Sequence, residues 1–184
     1  MKYRLLSFCM AVLLLISMIS VPRIEAANST ETFKDSADTK IVKLLEALGL
    51  MEIDSETGFF WDEMPVKRSE LAKIICKMFN ISETKDASPH FTDVSDYDRA
   101  YIETAIRNGY MSGYDNEKFG PDDYVTNIQL IKTFVTALGG DAAAQSQGGY
   151  PGGYITIGNM LGLLKGKAVA NENISRRIDV ANII

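Results

Sequence analysis

The sequence is poor in cysteine, histidine and tryptophan, and it has no excess of basic residues. Among 184 residues there are two cysteines, one histidine and one tryptophan, and 24 acidic residues stand against 19 basic ones. A chain with a net charge of −5 lacks the positive surface that nonspecific nucleic-acid binding requires. The missing cysteines and histidines leave no zinc ligand set, and no cofactor is expected. With 46% apolar residues, the chain is typical of a folded globular protein.

The N-terminus has the three parts of a secretory signal peptide. Lys2 and Arg4 precede an apolar run from Leu5 to Val21, and a small residue, Ala26, follows. We therefore predict a signal peptide over 1–26, a secreted protein, and no stable membrane span once it is cleaved. The alternative is an uncleaved anchor, because about 20 apolar residues can span a bilayer. The remaining ~158 residues correspond to one domain.

Cys76 is the only cysteine left after cleavage, so the mature chain forms no internal disulfide. It lies within an amphipathic helical pattern over 71–79, where a small side chain packs well. The single histidine, His90, stands in a loop beside a proline. A packing role for the thiol is therefore favoured over a nucleophilic one.

An internal repeat organises the rest of the chain. Residues 33–79 and 91–138 align at a spacing of about 59 residues. Each stretch contains an aromatic-x-Asp turn, a helix followed by glycine, a loop rich in glycine and aromatic residues, and a second helix. A fixed period predicts similar structural units that bury their apolar faces against one another.

The helices follow from apolar residues at intervals of three and four. The first helix of each unit is expected to end near Gly49 or Gly109, since glycine tolerates the positive φ found after a helix. The stripes are Ile41, Leu44, Leu45 and Leu48; Leu71, Ile74, Ile75, Met78 and Phe79; Ile102, Ala105 and Ile106; and Ile128, Ile131, Val135 and Leu138.

A third, shorter unit is predicted after a linker over 141–149, which is small and polar. Its first helix contains Tyr154 and ends near Gly162, and its last helix runs from 177 to the end of the chain. The uncapped end is compatible with a longer protein. The fold prediction is all-α, with three helix-loop-helix units in a pseudo-threefold bundle. The predicted units span 33–82, 88–140 and 150–184.

Several of these residues resemble the S-layer homology (SLH) family. They include Phe91-x-Asp93-Val94, Tyr101, Gly113-Tyr114-Asp115 and Phe119-x-Pro121. The family's second helix opens with a Thr-Arg-Ala-Glu-like tetrapeptide. The matching positions are Lys67-Arg68-Ser69-Glu70, Arg176-Arg177-Ile178-Asp179 and Thr126-Asn127-Ile128-Gln129, of which the last lacks both the arginine and the acid.

The resemblance implies an exported bacterial protein of the cell wall or cell surface. Its partner would be secondary cell-wall polysaccharide, an acidic and often pyruvylated glycan bound between units, and other envelope proteins are possible partners. It implies an anchoring role and no enzyme activity.

Two arginines are the strongest candidates for glycan binding. Arg68 and Arg177 stand where a helix begins, although the helix dipole favours acidic residues there. A planar guanidinium beside free backbone N–H groups binds a carboxylate well. We expect Arg68 to lie on the surface, where its loss would barely change stability. Asn127 predicts a weaker or vacant site in the second unit.

The remaining candidates are aromatic residues and residues of the turns. Asp93 follows an aromatic residue by two positions, which favours a turn-closing or capping role over ligand contact. Aromatic rings can stack on sugars, but a tyrosine at helical spacing is as often part of the core. The other candidate glycan-binding residues are Tyr101, Tyr154, Trp61, Gly113 and Tyr114.

Other function classes fit less well. Asp93, Asp96 and Asp98 crowd one loop, which does not indicate the carboxylate pair of a glycosidase. A calcium loop at 115–120 fails because Phe119 occupies a ligand position. Two alternatives stay open: an extracellular protein-protein interaction module, and the N-terminal anchor of a longer envelope enzyme.

Overall fold

The computed structural model describes residues 39–82, 91–164 and 172–184, and the predicted signal peptide lies outside these ranges. The described part contains helices and no β-strand, which confirms the all-α prediction. Its only strand-like pairings are three isolated bridges. The helices are α1 Thr39–Ala47, α2 Arg68–Met78, α3 Asp96–Arg107, α4 Asn127–Ala137, α5 Asp141–Ser146, α6 Gly152–Met160 and α7 Arg177–Ile183.

The helix ends follow from local sequence chemistry. Ser95 caps α3 by accepting a hydrogen bond from the amide of Asp98, and Thr126 and Gln129 form a reciprocal capping box at the start of α4. The glycines predicted to follow α1 and α3 have positive φ, at 63° for Gly49 and 74° for Gly109. Both helices therefore end where the sequence indicated.

The helices pack in cyclic order between the predicted units. The second helix of the first unit, α2, packs against α3 of the second, and α4 of the second packs against α6 of the third. The second helix of the third unit, α7, returns to α1 of the first. No predicted unit is packed only against itself, which agrees with apolar faces that a single unit cannot bury.

A closed ring of backbone hydrogen bonds joins the three segments that lead into α2, α4 and α7. The amide of Val66 donates to the carbonyl of Ser175, Ser175 donates to Val125, and Val125 donates back to Val66, at 2.8–2.9 Å. Two residues further along each segment, the backbone amide of Arg68 donates to the carbonyl of Asp123, that of Asn127 to Asn173, and that of Arg177 to Met64. We call these six bonds the junction ring. The ring supports the pseudo-threefold arrangement, which stays a prediction for whole units.

The core confirms most of the predicted apolar stripes and corrects two, because Leu138 at the end of the α4 stripe is 44% exposed and the stripe of α1 is only partly buried. Ile102, Ala105 and Ile131 are fully buried. In α1, however, Leu44 and Leu48 are 54% and 57% exposed. The buried residues of α1 are Val42 and Leu45, because this helix meets α7 along a narrow contact.

The segment predicted as a linker has structure of its own. Residues 141–146 form helix α5, which packs against α6. Ala144 is fully buried, and Tyr154 of α6 reaches back so that its hydroxyl donates to Asp141 and accepts from Gln145. The segment 141–149 is therefore part of the packed structure and not a loose spacer. Within the described residues, no helix has the length and apolar character needed to cross a membrane.

Candidate functional site

Arg68 joins two of the predicted units. It is the first residue of α2, and its side chain extends into loop 112–120 of the second unit. Its Nε donates to the carbonyl of Phe119 at 3.0 Å, and its Nη2 donates to the carbonyl of Ser112 at 2.7 Å. The guanidinium thereby holds both ends of the loop. A single planar side chain with several donors can do this, whereas an ammonium group presents no such fork.

The prediction of a surface position for Arg68 is wrong. The residue is only 7% exposed, and its Cζ lies 4.5 Å from the ring centre of Phe119 and 4.8 Å from that of Tyr114. Such stacking on aromatic faces is favourable for a cation. Burial lowers the pKa of Arg68, but an arginine side chain stays protonated in proteins. A positive charge is therefore fixed at the floor of a partly enclosed surface.

A cavity of about 230 Å³ opens beside Arg68, and we call it the Arg68 cleft. Its lining contains two cations, three tyrosines and several neutral polar groups, and no carboxylate. The lining residues are Arg68, Leu71, Tyr110, Met111, Ser112, Gly113, Tyr114, Val125, Gln129, Lys132, Thr133 and Tyr150. Three of the predicted site residues, Arg68, Gly113 and Tyr114, meet here.

Asp93 stabilises loop 112–120 through backbone hydrogen bonds. Its two carboxylate oxygens accept from the amides of Phe119 and Gly120, at 3.1 and 2.9 Å. Burial raises the pKa of Asp93, but these two hydrogen bonds outweigh burial and hold the pKa below its usual value. The carboxylate is thus committed to the backbone, which is the turn-closing role favoured by the sequence.

Gly113 is required by the close approach of neighbouring groups. A Cβ at this position would lie 2.6 Å from a ring carbon of Phe91 and 2.8 Å from the carbonyl oxygen of Asp115. No larger residue fits without moving the loop. The contribution of Gly113 to the cleft is therefore its small size.

Two exposed tyrosines form the rim of the cleft. Tyr114 is 61% exposed and Tyr150 is 49% exposed. The hydroxyl of Tyr114 donates to Asp123, which keeps the ring over Arg68. Burial raises the pKa of both tyrosines, helped by Asp123 in the first case and by Glu172 in the second, so both hydroxyls are neutral at physiological pH.

Gln129 and Lys132 are cleft residues that were not among the predicted binding residues. They stand one helical turn apart on α4, and Lys132 is the only cation of that helix. Lys132 is partly buried, and it belongs to none of the ion pairs found among the described residues. A single charged residue in an otherwise uncharged amphipathic helix could have identified Lys132 as a candidate from the sequence. The meeting of α4 with loop 112–120 and Tyr150 was not visible from local patterns.

Arg177 begins α7 of the third predicted unit, and its side chain reaches the corresponding loop of the first unit. Its Nε donates to the carbonyl of Phe60 at 2.8 Å, and its Nη2 donates to the carbonyl of Glu52 at 2.6 Å. Its Cζ lies 4.7 Å from the ring centre of Phe60. Unlike Arg68, it also forms an ion pair, with Glu70 at 2.7 Å.

The other three candidates lie apart from the Arg68 cleft. Tyr154 is 1% exposed with its hydroxyl bonded, so its ring belongs to the core and the proposed sugar stacking conflicts with its burial. Tyr101 lines a separate depression together with Cys76 and Lys77. Trp61 is 42% exposed beside Met64 and follows the loop that holds Arg177.

Comparison with protein families agrees with this part of the molecule. Residues 90–130 match the family model of the S-layer homology domain, which confirms the predicted resemblance. The matched range contains α3, loop 112–120 and the start of α4, and so most of the residues around the Arg68 cleft.

Two curated relatives cover most of the chain. A surface layer protein of Brevibacillus choshinensis is 28% identical over 162 residues, which are 84% of this chain and 14% of the relative. A middle cell wall protein of Brevibacillus brevis strain 47 is 25% identical over 157 residues, which are 83% of this chain and 15% of the relative. The chain thus spans about one seventh of the length of these proteins.

Proposed function

We propose, from the S-layer homology match and the Arg68 cleft, that this protein anchors to the bacterial cell wall by binding an acidic secondary cell-wall polysaccharide. Cell-wall anchoring at the general level is supported by the family match and by two relatives named as surface layer and cell wall proteins. The same relatives support a location outside the cell, at the surface or in the wall. The choice of glycan is the finer proposal.

The lining of the cleft is the observation that carries this choice. Arg68 and Lys132 bring two positive charges to a cavity without a lining carboxylate. A charge-assisted hydrogen bond to a carboxylate is roughly twice as strong as a neutral one. A sugar with a carboxylate substituent, such as a pyruvate ketal, would place that group between these cations.

The rest of the lining suits a sugar ring. Tyr114 and Tyr150 offer exposed rings at the rim, and Gln129 and Thr133 offer polar groups on the wall. Aromatic faces combined with a few placed polar groups are typical of small-molecule sites. The nearest carboxylates of the loop, Asp93 and Asp123, are engaged with backbone amides and with Tyr114, which supports binding without catalysis.

A wall-retention experiment tests the proposal. The purified mature protein is incubated with native cell walls and with walls from which acid has extracted the secondary polymer. We expect retention on native walls alone. Equal retention on stripped walls would contradict the glycan as partner and would favour peptidoglycan or a wall protein.

A single substitution tests whether the Arg68 cleft is the binding site. Lys132→Gln removes a partly buried cation that forms no described ion pair, so the fold has little to lose. We expect wall affinity to fall by about three- to tenfold, the loss of one modest charged hydrogen bond. Lys40→Gln on the exposed face of α1 is the matched control. Unchanged affinity for Lys132→Gln would contradict the assignment of the site.

A further inference from the structure

The Arg177 region repeats the chemistry of the Arg68 cleft with one difference in charge. At the repeat spacing of 59, Gln129 corresponds to Glu70, Lys132 to Lys73, and Met111 to Glu52. We call Arg177, Lys73, Glu70 and Glu52 the Arg177 cluster. Both regions therefore contain one arginine and one lysine, but only the cluster contains carboxylates.

The two carboxylates of the cluster are already paired with its two cations. Arg177 Nη1 lies 2.7 Å from Glu70 Oε1, and Lys73 Nζ lies 3.0 Å from Glu52 Oε1. The arginine and Glu70 are mostly covered, with side-chain exposures of 13% and 28%. The hydrogen bond from Lys73 lowers the pKa of Glu52, so this carboxylate stays ionised at neutral pH. The net charge of the cluster is zero.

The Arg68 cleft lacks both internal counter-charges. Gln129 and Met111 line it where the cluster has Glu70 and Glu52, and the guanidinium donates only to the neutral carbonyls of Phe119 and Ser112. The cation-π contacts with Phe119 and Tyr114 do not neutralise the charge. Two cations therefore face the cavity without a carboxylate in its lining, and the charges of Asp123 and Asp93 act on Arg68 only from outside it.

We propose that Gln129 and Met111 make the Arg68 cleft the anion-accepting site of this protein, and that Glu70 and Glu52 keep anionic ligands out of the Arg177 cluster. A ligand carboxylate approaching Arg177 would have to displace Glu70 and remain close to it, and like charges placed together are strongly unfavourable. The two arginines therefore have different roles. Arg68 binds, whereas Arg177 holds the loop of the first unit through Phe60 and Glu52. The inference rests on the proposed function in taking the ligand to be an acidic sugar.

Reciprocal substitutions test it, because each keeps the local hydrogen bond while changing the charge. Gln129→Glu retains the side-chain oxygen that accepts from the amide of Thr126, as in a common capping box. Glu70→Gln retains an oxygen that can accept from Arg177. Glu46→Gln, on an exposed position of α1, changes the net charge equally and is the matched control. The melting temperature of each variant shows whether it is folded.

The probe is methyl glucuronide, with methyl glucoside as the neutral counterpart, titrated into the full mature chain. The readout is the NMR signal of the Nε–H groups of Arg68 and Arg177, each of which is held by a carbonyl and can be assigned with an arginine-to-lysine variant. In the wild type we expect the Arg68 signal to respond to the glucuronide and the Arg177 signal to stay unchanged. Gln129→Glu should weaken the affinity for the glucuronide, as titrated through the Arg68 signal, by at least about tenfold. Glu70→Gln should create a response at Arg177.

Three results would overturn the inference: a wild-type Arg177 signal that responds like that of Arg68, an Arg68 response unaffected by Gln129→Glu, or no Arg68 response to the glucuronide. Wall retention separates this failure from that of the proposed function. If the wild-type protein is retained by native walls but shows no response to the glucuronide, the anchoring role stands and the inference about Gln129 and Met111 is overturned. Protein whose Arg68 signal responds to the glucuronide but that is not retained on walls would support the inference and contradict the proposed anchoring role.

Discussion

Arg68 belongs both to the fold and to the proposed binding site. Its Nε and Nη2 donate to carbonyls that come from a different predicted unit, and its guanidinium also faces the cleft. The sequence pattern singled out the residue correctly as unusual for a helix start. It did not reveal that the Arg68 side chain is buried, because the carbonyls that accept its hydrogen bonds are 44 and 51 positions away in the sequence.

Arg68→Ala is expected to lower both stability and wall affinity. Two hydrogen bonds from a charged donor are lost and two carbonyls lose their partner, so the free energy of unfolding should fall by about 2–3 kcal/mol. Arg68→Lys should recover less than half of this, because an ammonium group cannot span both carbonyls. Urea unfolding measures the change, and wall affinity is measured where each variant is folded.

The exposed Arg107 at the end of α3 provides the control for this substitution. Arg107→Ala should change the unfolding free energy by less than about 0.5 kcal/mol. An Arg68→Ala protein as stable as the wild type would show that the two carbonyl contacts contribute nothing to folding.

Asp93 predicts a dependence of stability on acidic pH. Its folded-state pKa lies below the unfolded value of about 4, so its contribution is complete above that value and is lost as pH falls through the folded-state pKa. Asp93→Asn should destabilise the protein by about 1–2 kcal/mol at pH 7, because an amide group has only one oxygen for the two loop amides.

The difference in unfolding free energy between wild type and Asp93→Asn should shrink when urea unfolding is repeated from pH 7 down to pH 3. Glu46→Gln, on an exposed position of α1, should show no comparable trend. A difference that stays constant with pH would mean that the carboxylate charge does not matter at Asp93.

At the scale of elements, the loop 112–120 depends on the glycine at position 113. Gly113→Ala should lower the unfolding free energy by about 1–3 kcal/mol, as overpacking does, because its Cβ would strike Phe91 and the backbone of Asp115. It should also weaken wall binding by moving the cleft wall. Gly152→Ala, at a helical position with open space around its Cβ, should be neutral or stabilising. Calorimetric melting of the two variants provides the comparison, and similar losses in both would contradict the steric argument.

Six of the seven described helices were predictable, since each depends on a period or a terminal signal contained in a short stretch, whereas α5 has no such stripe and was predicted as a linker. Ile102, Ala105 and Ile131 were assigned to the core because a stripe must face something apolar. The stripe of α1 was misassigned at Leu44 and Leu48. Which face of a short helix is buried depends on its packing partner, and the partner of α1 is α7, which is distant in sequence. Arrangements that join distant segments, such as the presence of Tyr150 and Lys132 in the lining of one cleft, have no local signal.

At the scale of the whole molecule, the junction ring predicts a common unfolding event. The amides of Val66, Val125 and Ser175 each donate to the next predicted unit, so none can exchange with solvent unless the ring opens. We expect their hydrogen-exchange rates to give one shared free energy, close to that of global unfolding. The amide of Glu56, in an exposed turn, should exchange far faster. Markedly different values for the three ring amides would show that the units open independently.

The junction ring also bears on how this protein would carry a mechanical load. A tether that holds a surface structure in place is pulled, and bonds that fail one after another yield at low force. Here we expect a pull on any one of the three junctions to load the other two, because every junction exchanges backbone hydrogen bonds with both of its neighbours. The Arg68 cleft lies across one of these connections, so a ligand gripping it would draw two segments together instead of peeling one away. Resistance to force would then depend on the junction ring as a whole and not on any single pair of helices.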